Sequence, residues 1–439
     1  MKNILIISPH YPPSNLAAVH RSRLFAQHLP AFGWNPIILT VHEDFYEEAL
    51  DWNLHKLIPA NQRIEKVSAF KVGKPRLVGD IGLRAYFQLR RRALELIRAE
   101  KIDFVYIPIP SFYMALLGPY LFKRTDIPYG IDYIDPWVHY FPGSNKLFSR
   151  HWFSTQLAKL LEPIAVKHAA LITGVSEGYY KPVLERNPHL KTQALTAAMP
   201  YGGEESDHDF IRAKGKEYST PPLPSAGKFN PSTPQPSAGK FNRSTSSTIK
   251  FIYAGAMLPK AYKPLEEIFK ALNQLQPLQP LQLHFIGTLG TIKPIAEKHG
   301  LYGTTVFEHP DRIPYLDVLT QLESADAVFI LGSTEPHYTP SKVYQGVLSG
   351  KPILAVLHEQ STAVNVLRAS NAGIVITMKG EEDLDKLSAR FLEGLRDFEN
   401  FRKTFDPNKI NRAAFELYSA KAVTAQLVEK LDEIVSSPS

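Results

Sequence analysis

The chain has 439 residues, too many for one ordinary hydrophobic core, so two or three domains are expected. Its apolar share of 44% is that of a globular protein, and the absence of cysteine excludes a disulfide scaffold and any thiolate metal site. The 50 Lys and Arg against 43 Asp and Glu leave a net charge of +7, too modest an excess to point to nucleic acid.

The first apolar run, Ile4 to Ile7, is too short for a signal peptide and reads as a buried strand. No run approaches the roughly 20 apolar residues that span a bilayer, so a cytoplasmic location is expected. Further apolar runs fall at residues 36–41, 104–109, 129–133 and 170–174. Stretches of helical length, such as 17–32 and 154–168, lie between them. Continuous apolar strands separated by helices predict a parallel sheet covered on both faces. Within 83–101, Arg84, Arg90, Arg91, Arg92, Arg98 and Lys101 accompany Phe87, Leu89, Leu94, Leu96 and Ile97. A basic amphipathic helix of this kind is either a solvated face or a peripheral contact with an anionic membrane surface.

The alternation stops at residues 214–248, where proline, serine and glycine dominate and the heptapeptide Pro-Ser-Ala-Gly-Lys-Phe-Asn occurs at 224–230 and again at 236–242. So little apolar surface cannot offset the entropy of ordering, and the stretch reads as a flexible linker. Strand signals resume at 249–254, 281–286, 305–308, 327–331, 352–356 and 373–376, with helical stretches at 264–276, 314–324 and 340–349. Residues 407–435 have the apolar spacing of one long helix. The expected organisation is a first α/β domain at 1–213, the linker at 214–248, a second α/β domain at 249–406 and a terminal helix at 407–439.

The segment Gly332-Ser333-Thr334-Glu335-Pro336-His337-Tyr338-Thr339-Pro340-Ser341-Lys342 carries the most chemistry. It joins a buried strand to a helix, and in an open α/β sheet such a junction is where phosphate-bearing ligands bind. A lysine in the first turn of a helix opposes the helix dipole unless an anion bridges it, which marks Lys342 as a phosphate contact. No P-loop, no Gly-x-Gly-x-x-Gly after the first strand and no His-x-Glu-x-x-His spacing is present, which weakens ATPase, dehydrogenase and metalloenzyme readings.

Several landmarks together resemble the family 4 retaining glycosyltransferases of the GT-B fold. They are Ser8-Pro9-His10-Tyr11-Pro12-Pro13-Ser14-Asn15 followed by Arg21, then Asp132-Tyr133-Ile134-Asp135-Pro136-Trp137, Thr173-Gly174-Val175-Ser176-Glu177 and Met199-Pro200-Tyr201-Gly202-Gly203. In the second half they are the stretch from Phe251 through Gly255 to Lys263, and above all the segment from Ser333 to Val356. The resemblance implies two Rossmann-like doubly wound α/β domains facing a central cleft, with a C-terminal helix crossing back to the first.

It also implies a nucleotide-diphosphate sugar as donor and a glycan or lipid-linked acceptor in surface-polysaccharide or glycolipid assembly, with no metal and no further cofactor. By the same resemblance Asp135 and Lys342 are the catalytic residues. Ser14 and Asn15 belong to the first donor-facing loop, Gly255 with Lys260 or Lys263 meets the diphosphate, and Arg312 lies toward the base. Ser333, Glu335, Tyr338 and Ser341 line the second loop, and Gln345 meets the ribose. The chain departs from the family in having Ser14, Asn15, Ala17 and Ala18 where glycines are usual, and His337 and Gln345 where two glutamates eight residues apart are usual. Two other readings stand beside the transferase: a catalytically silent GT-B-like protein that binds a nucleotide sugar or a partner, and a nucleotide-sugar epimerase.

Overall fold

The computed structural model describes residues 1–73, 79–138, 146–215, 248–274 and 280–436. The repeat-bearing stretch expected to be a linker lies almost wholly outside them. The chain divides into two compact units, residues 1–204 with 417–439, and residues 205–416.

The first unit is built on seven parallel strands: β1 (Lys2–Ile7), β2 (Trp34–Val41), β3 (Arg63–Val67), β4 (Phe104–Ile109), β5 (Tyr129–Tyr133), β6 (Leu171–Gly174) and β7 (Leu195–Ala198). They lie in the order β3-β2-β1-β4-β5-β6-β7, with Ile6 in register with Ile38 on one side and Tyr106 on the other. Successive side chains of a strand point to opposite faces. Accordingly Leu5 and Ile7 enter one core, with Ile37, Val105 and Ile131, while Ile4 and Ile6 enter another with Phe25, Phe104, Val423 and Leu427. Burial on both faces is why these strands read as unbroken apolar runs.

The second core is closed by the Ala420–Ser436 helix, which returns to the first unit. Asp432 of that helix accepts from Lys2 Nζ at 2.8 Å and from Trp34 Nε1 at 2.9 Å. The single long helix expected over 407–435 is instead three pieces, Pro407–Lys409, Arg412–Glu416 and Ala420–Ser436. The interruption has a cause: Gly203 N donates to Tyr418 O at 2.9 Å, and Ala420 N donates to Gly203 O at 2.7 Å. Ser419 is thereby bridged to Gly203 between the two helical pieces, which a continuous helix does not allow. Gly202 makes the approach feasible, since it has φ +81° and a Cβ there would lie 2.8 Å from Ala420 Cα.

The second unit carries six parallel strands: β8 (Ile249–Ala254), β9 (Leu281–Ile286), β10 (Val306–His309), β11 (Ala327–Leu331), β12 (Ile353–His358) and β13 (Gly373–Met378). Their order is β10-β9-β8-β11-β12-β13. Phe251, Phe285, Phe329 and Phe398 fill the core on one face. The Glu205–Lys214 helix, placed in the first domain by the sequence reading, belongs to this unit. Tyr315 donates to Asp207 at 2.9 Å, and Arg212 donates to Leu348 O at 2.9 Å.

The basic helix of the first unit, Tyr86–Ala99, spends its apolar stripe inside: Leu89, Ala93, Leu96 and Ile97 are buried. Arg91 pairs with Glu95 at 2.8 Å and Arg92 with Glu65 at 2.8 Å. Arg84, just before it, is buried against Phe70 O, Phe45 O and Glu47. No helix among the described residues is long and apolar enough to cross a membrane.

Candidate functional site

In an open parallel sheet the ligand crevice opens where strand order reverses, because adjacent loops there run to opposite sides. In the second unit the reversal lies between β8 and β11. The loop after β8 begins at Gly255 and the loop after β11 runs from Gly332 to Ser341, so both candidate loops flank the same point. They are tied together: Thr334 N donates to Lys260 O at 3.2 Å, and Lys260 Nζ lies 2.9 Å from Glu335 Oε1.

Lys342 sits between them. Its Nζ lies 3.4 Å from Ala256 O and 3.8 Å from the centre of the Tyr253 ring, the penultimate residue of β8. Gly255 has φ +111°, and even a Cβ there would stand only 3.5 Å from the Lys342 ammonium. Among the described residues the lysine meets the ring face and one carbonyl, and no carboxylate pairs with it. Burial therefore pushes its ammonium down to about 7. Lys342 is thus a cation with little counter-charge, placed at the reversal point of the sheet.

The helix behind it contributes less than expected. It runs only from Lys342 to Leu348, and Ser341 stands at its start in helical conformation without a side-chain cap. The N–H groups of Val343 and Tyr344 bond back to Pro340 O and Ser341 O at 3.1 and 3.3 Å. The positive charge at this junction therefore sits on the lysine, while the amides of Val343 and Tyr344 are already bonded.

Ser333 is buried and its Oγ accepts from Glu335 N at 3.2 Å, shaping the loop. Tyr338 lies in the same loop, its carbonyl accepting from Ser361 Oγ at 2.7 Å. Lys263 is exposed and paired with Glu381 at 2.6 Å. Arg312, exposed after β10, runs alongside Gly287 at the end of β9. Gln345 departs most from the sequence expectation. Its Oε1 is 3.0 Å from Nε2 of His208, a fully buried ring whose Nδ1 is 2.8 Å from Glu323 Oε1. That His208–Glu323 partnership has no sequence signature, because it joins residues 115 apart. Tyr253 had one: an aromatic residue two positions before the glycine that follows β8.

The first unit holds Ser14, Asn15 and Asp135. Ser14 is fully buried and its hydroxyl donates to Glu48, whose Oε1 lies 2.9 Å from His10 Nδ1. Burial raises the Glu48 carboxyl, but the His10 ring and the Ser14 hydroxyl outweigh it and hold it down at about 2. Asp135 is exposed two residues beyond β5; Trp137, two residues further on, stacks on Phe112 at 6.0 Å. The carboxylate that sequence reasoning passed over is Asp132, within β5. It is fully buried and accepts from Arg21 Nε and Thr173 Oγ1, each at 2.8 Å. Arg21 also donates to Pro200 O at 2.6 Å and to Met199 O. Among the described residues no group of three or more His, Asp or Glu is arranged to hold a metal.

No family model matches the chain, and no curated protein matches it. Solved structures match over its whole length. The chain is similar to sucrose-phosphate synthase from Thermosynechococcus elongatus, with 13% identity, a TM-score of 0.61 and all of both chains covered. It is similar to Anabaena HepE in complex with UDP and glucose, with 14% identity, a TM-score of 0.60, and 99% of this chain and 100% of that one covered. It is also similar to a putative UDP-N-acetylglucosamine 2-epimerase from Listeria monocytogenes, with 12% identity, a TM-score of 0.52, and 100% of this chain and 98% of that one covered. At such identity the likeness speaks for the fold: two Rossmann-like units of the GT-B class.

Proposed function

We propose that this chain is a retaining glycosyltransferase related to family 4, which moves a sugar from a nucleotide-diphosphate donor to a glycan or lipid-linked acceptor. The observation that carries the reading is Lys342, an uncompensated, partly buried cation at the strand-order reversal of the second sheet, beside Gly255 and across from Lys260. Departure of the sugar leaves a nucleoside diphosphate, and the barrier falls with the charge that meets it. Lys342 supplies a first charge. Lys260 supplies a second once Glu335 releases it. The diphosphate in turn restores the Lys342 ammonium to its charged form, so donor binding and catalytic charge arise together. Donors of this class are consistent with the UDP held by the similar HepE structure. The reading requires no metal and no further cofactor, and it places the enzyme in the cytoplasm in surface-polysaccharide or glycolipid assembly. Asp135, exposed at the carboxyl end of β5, is the acceptor-side residue of this proposal.

A second reading has a specific observation behind it. Gln345, the residue that would meet the ribose, is engaged by His208, as suits a protein that binds nucleotide sugars without turning them over. The epimerase reading draws on the similarity to the Listeria structure. Incubation with UDP-, GDP- and TDP-sugars, followed by mass spectrometry, separates the three. Release of nucleotide with hydrolysis or transfer supports the transferase. Tight binding without release supports the silent protein, and an isomerised donor supports the epimerase.

A further inference from the structure

The Arg150–Val166 helix of the first unit reverses the usual arrangement of a surface helix. Toward the core it turns mostly small or polar side chains: Thr155, Ala158, Glu162 and Ala165 are buried. Toward solvent it turns large apolar ones: Phe153 is 54% exposed, Leu157 40%, Leu160 66% and Ile164 51%. Their spacing of four, three and four places them in one stripe. Leu147 and Phe148, just before the helix, are 67% and 75% exposed. Phe148, Trp152 and Phe153 form a ring cluster with centroids 5.0 to 6.3 Å apart. Six of the thirteen exposed large hydrophobic side chains among the described residues thus fall within 18 consecutive positions, 147–164. Scattered exposed apolar residues are ordinary; a contiguous stripe marks a contact surface.

Charge decides what it contacts. The exposed ionised groups along and beside the helix are Lys146, Arg150, Lys159 and Lys167. Its one acid, Glu162, is 1% exposed and held by Arg186 at 2.8 and 2.9 Å. Solvent therefore sees apolar side chains flanked by cations, with aromatic rings at one end, which is the composition of helices that lie in a bilayer interface.

We propose that this face docks the chain on an anionic lipid bilayer. The stripe from Phe153 to Ile164 enters the boundary between headgroups and acyl chains, and the four cations meet lipid phosphates. The basic Tyr86–Ala99 helix is a poorer surface, because Leu89, Ala93, Leu96 and Ile97 are buried and Arg91 and Arg92 are paired with glutamates.

The test uses the full chain and sedimentation with phosphatidylcholine vesicles made with and without phosphatidylglycerol. The wild type is expected to sediment with the anionic vesicles and to be released as salt rises. The variant F153S/L157S/L160S is expected to lose at least about tenfold in vesicle affinity while remaining folded by circular dichroism. The variant K146Q/R150Q/K159Q is expected to lose the preference for phosphatidylglycerol. Failure of the wild type to sediment, or equal sedimentation of the serine variant, overturns the proposal. So does a concentration-dependent dimer that the serine variant dissociates, since the face would then belong to a second copy of the chain. None of these readouts depends on the transferase reading.

Discussion

The Lys342 ammonium lies 3.8 Å from the centre of the Tyr253 ring, at the point where strand order reverses in the second sheet. A ring face is a weak counter-charge, worth on the order of 1–2 kcal/mol when desolvated, and it does not balance the cost of burying an ammonium. The ammonium is therefore only partly compensated, as it would be where an anion binds.

If that anion is a diphosphate, Lys342→Ala should weaken UDP binding at pH 7 by at least about tenfold, the scale of one charge-assisted contact. The wild type should also bind less well as pH rises. Only the protonated lysine attracts the diphosphate, and its folded-state pKa is about 7. Between pH 7 and 8.5 the affinity should fall roughly tenfold in the wild type and stay flat in the variant. Calorimetry at the two pH values checks this; a pH-independent wild type would remove the assignment.

The same burial costs stability. Lysine titrates near 10.5 when unfolded and near 7 here, so between those values the unfolded chain binds more protons and stability rises with pH. Below pH 7 the whole cost is present. Lys342→Met should therefore stabilise the chain by about 2 kcal/mol at pH 6, discounted for partial solvent access. The gain should shrink toward zero as pH approaches 10. Urea unfolding at three pH values reads it.

The sequence leaves open whether Lys260 or Lys263 faces the diphosphate. The geometry favours Lys260, whose loop is tied to Thr334 and whose partner Glu335 stands in the opposite loop. Lys260→Ala should weaken UDP binding about tenfold, whereas Lys263→Ala should change it by less than about twofold. Glu335→Gln, which frees Lys260, should tighten it. Equal losses in both lysine variants would contradict the assignment.

In the first unit, Arg21 and Asp132 form an ion pair that is at most 1% exposed. Breaking a buried pair leaves one charge uncompensated, at a cost of about 3–5 kcal/mol. Asp132→Asn should destabilise the protein by that amount, and Asp135→Asn, on an exposed side chain, by less than about 0.5 kcal/mol. Denaturant melts of the two variants distinguish a structural carboxylate from a surface one.

Most strands were legible because burial on both faces writes an unbroken apolar run into the sequence. β4, β5, β8, β9 and β11 begin and end at the residues where those runs do. The strands passed over, Arg63–Val67 and Leu195–Ala198, are the two edges of the first sheet. There one side faces solvent, and Arg63-Ile64-Glu65-Lys66-Val67 carries too many charges to read as buried. The break at Ser419 was hidden for another reason: it depends on a bridge to Gly203, more than 200 residues away.

The sequence by itself determined the two parallel sheets, the loops that leave them and the lysine that ends one loop, since each is written in local pattern. Tertiary structure decided which charges remain uncompensated. Lys263 and Gln345 look like site residues in the chain, yet Glu381 and His208 engage them, while Lys342 is left with a tyrosine ring. Pairing of charges is settled by distance in space, and the chain order that sets the strands carries almost none of that information.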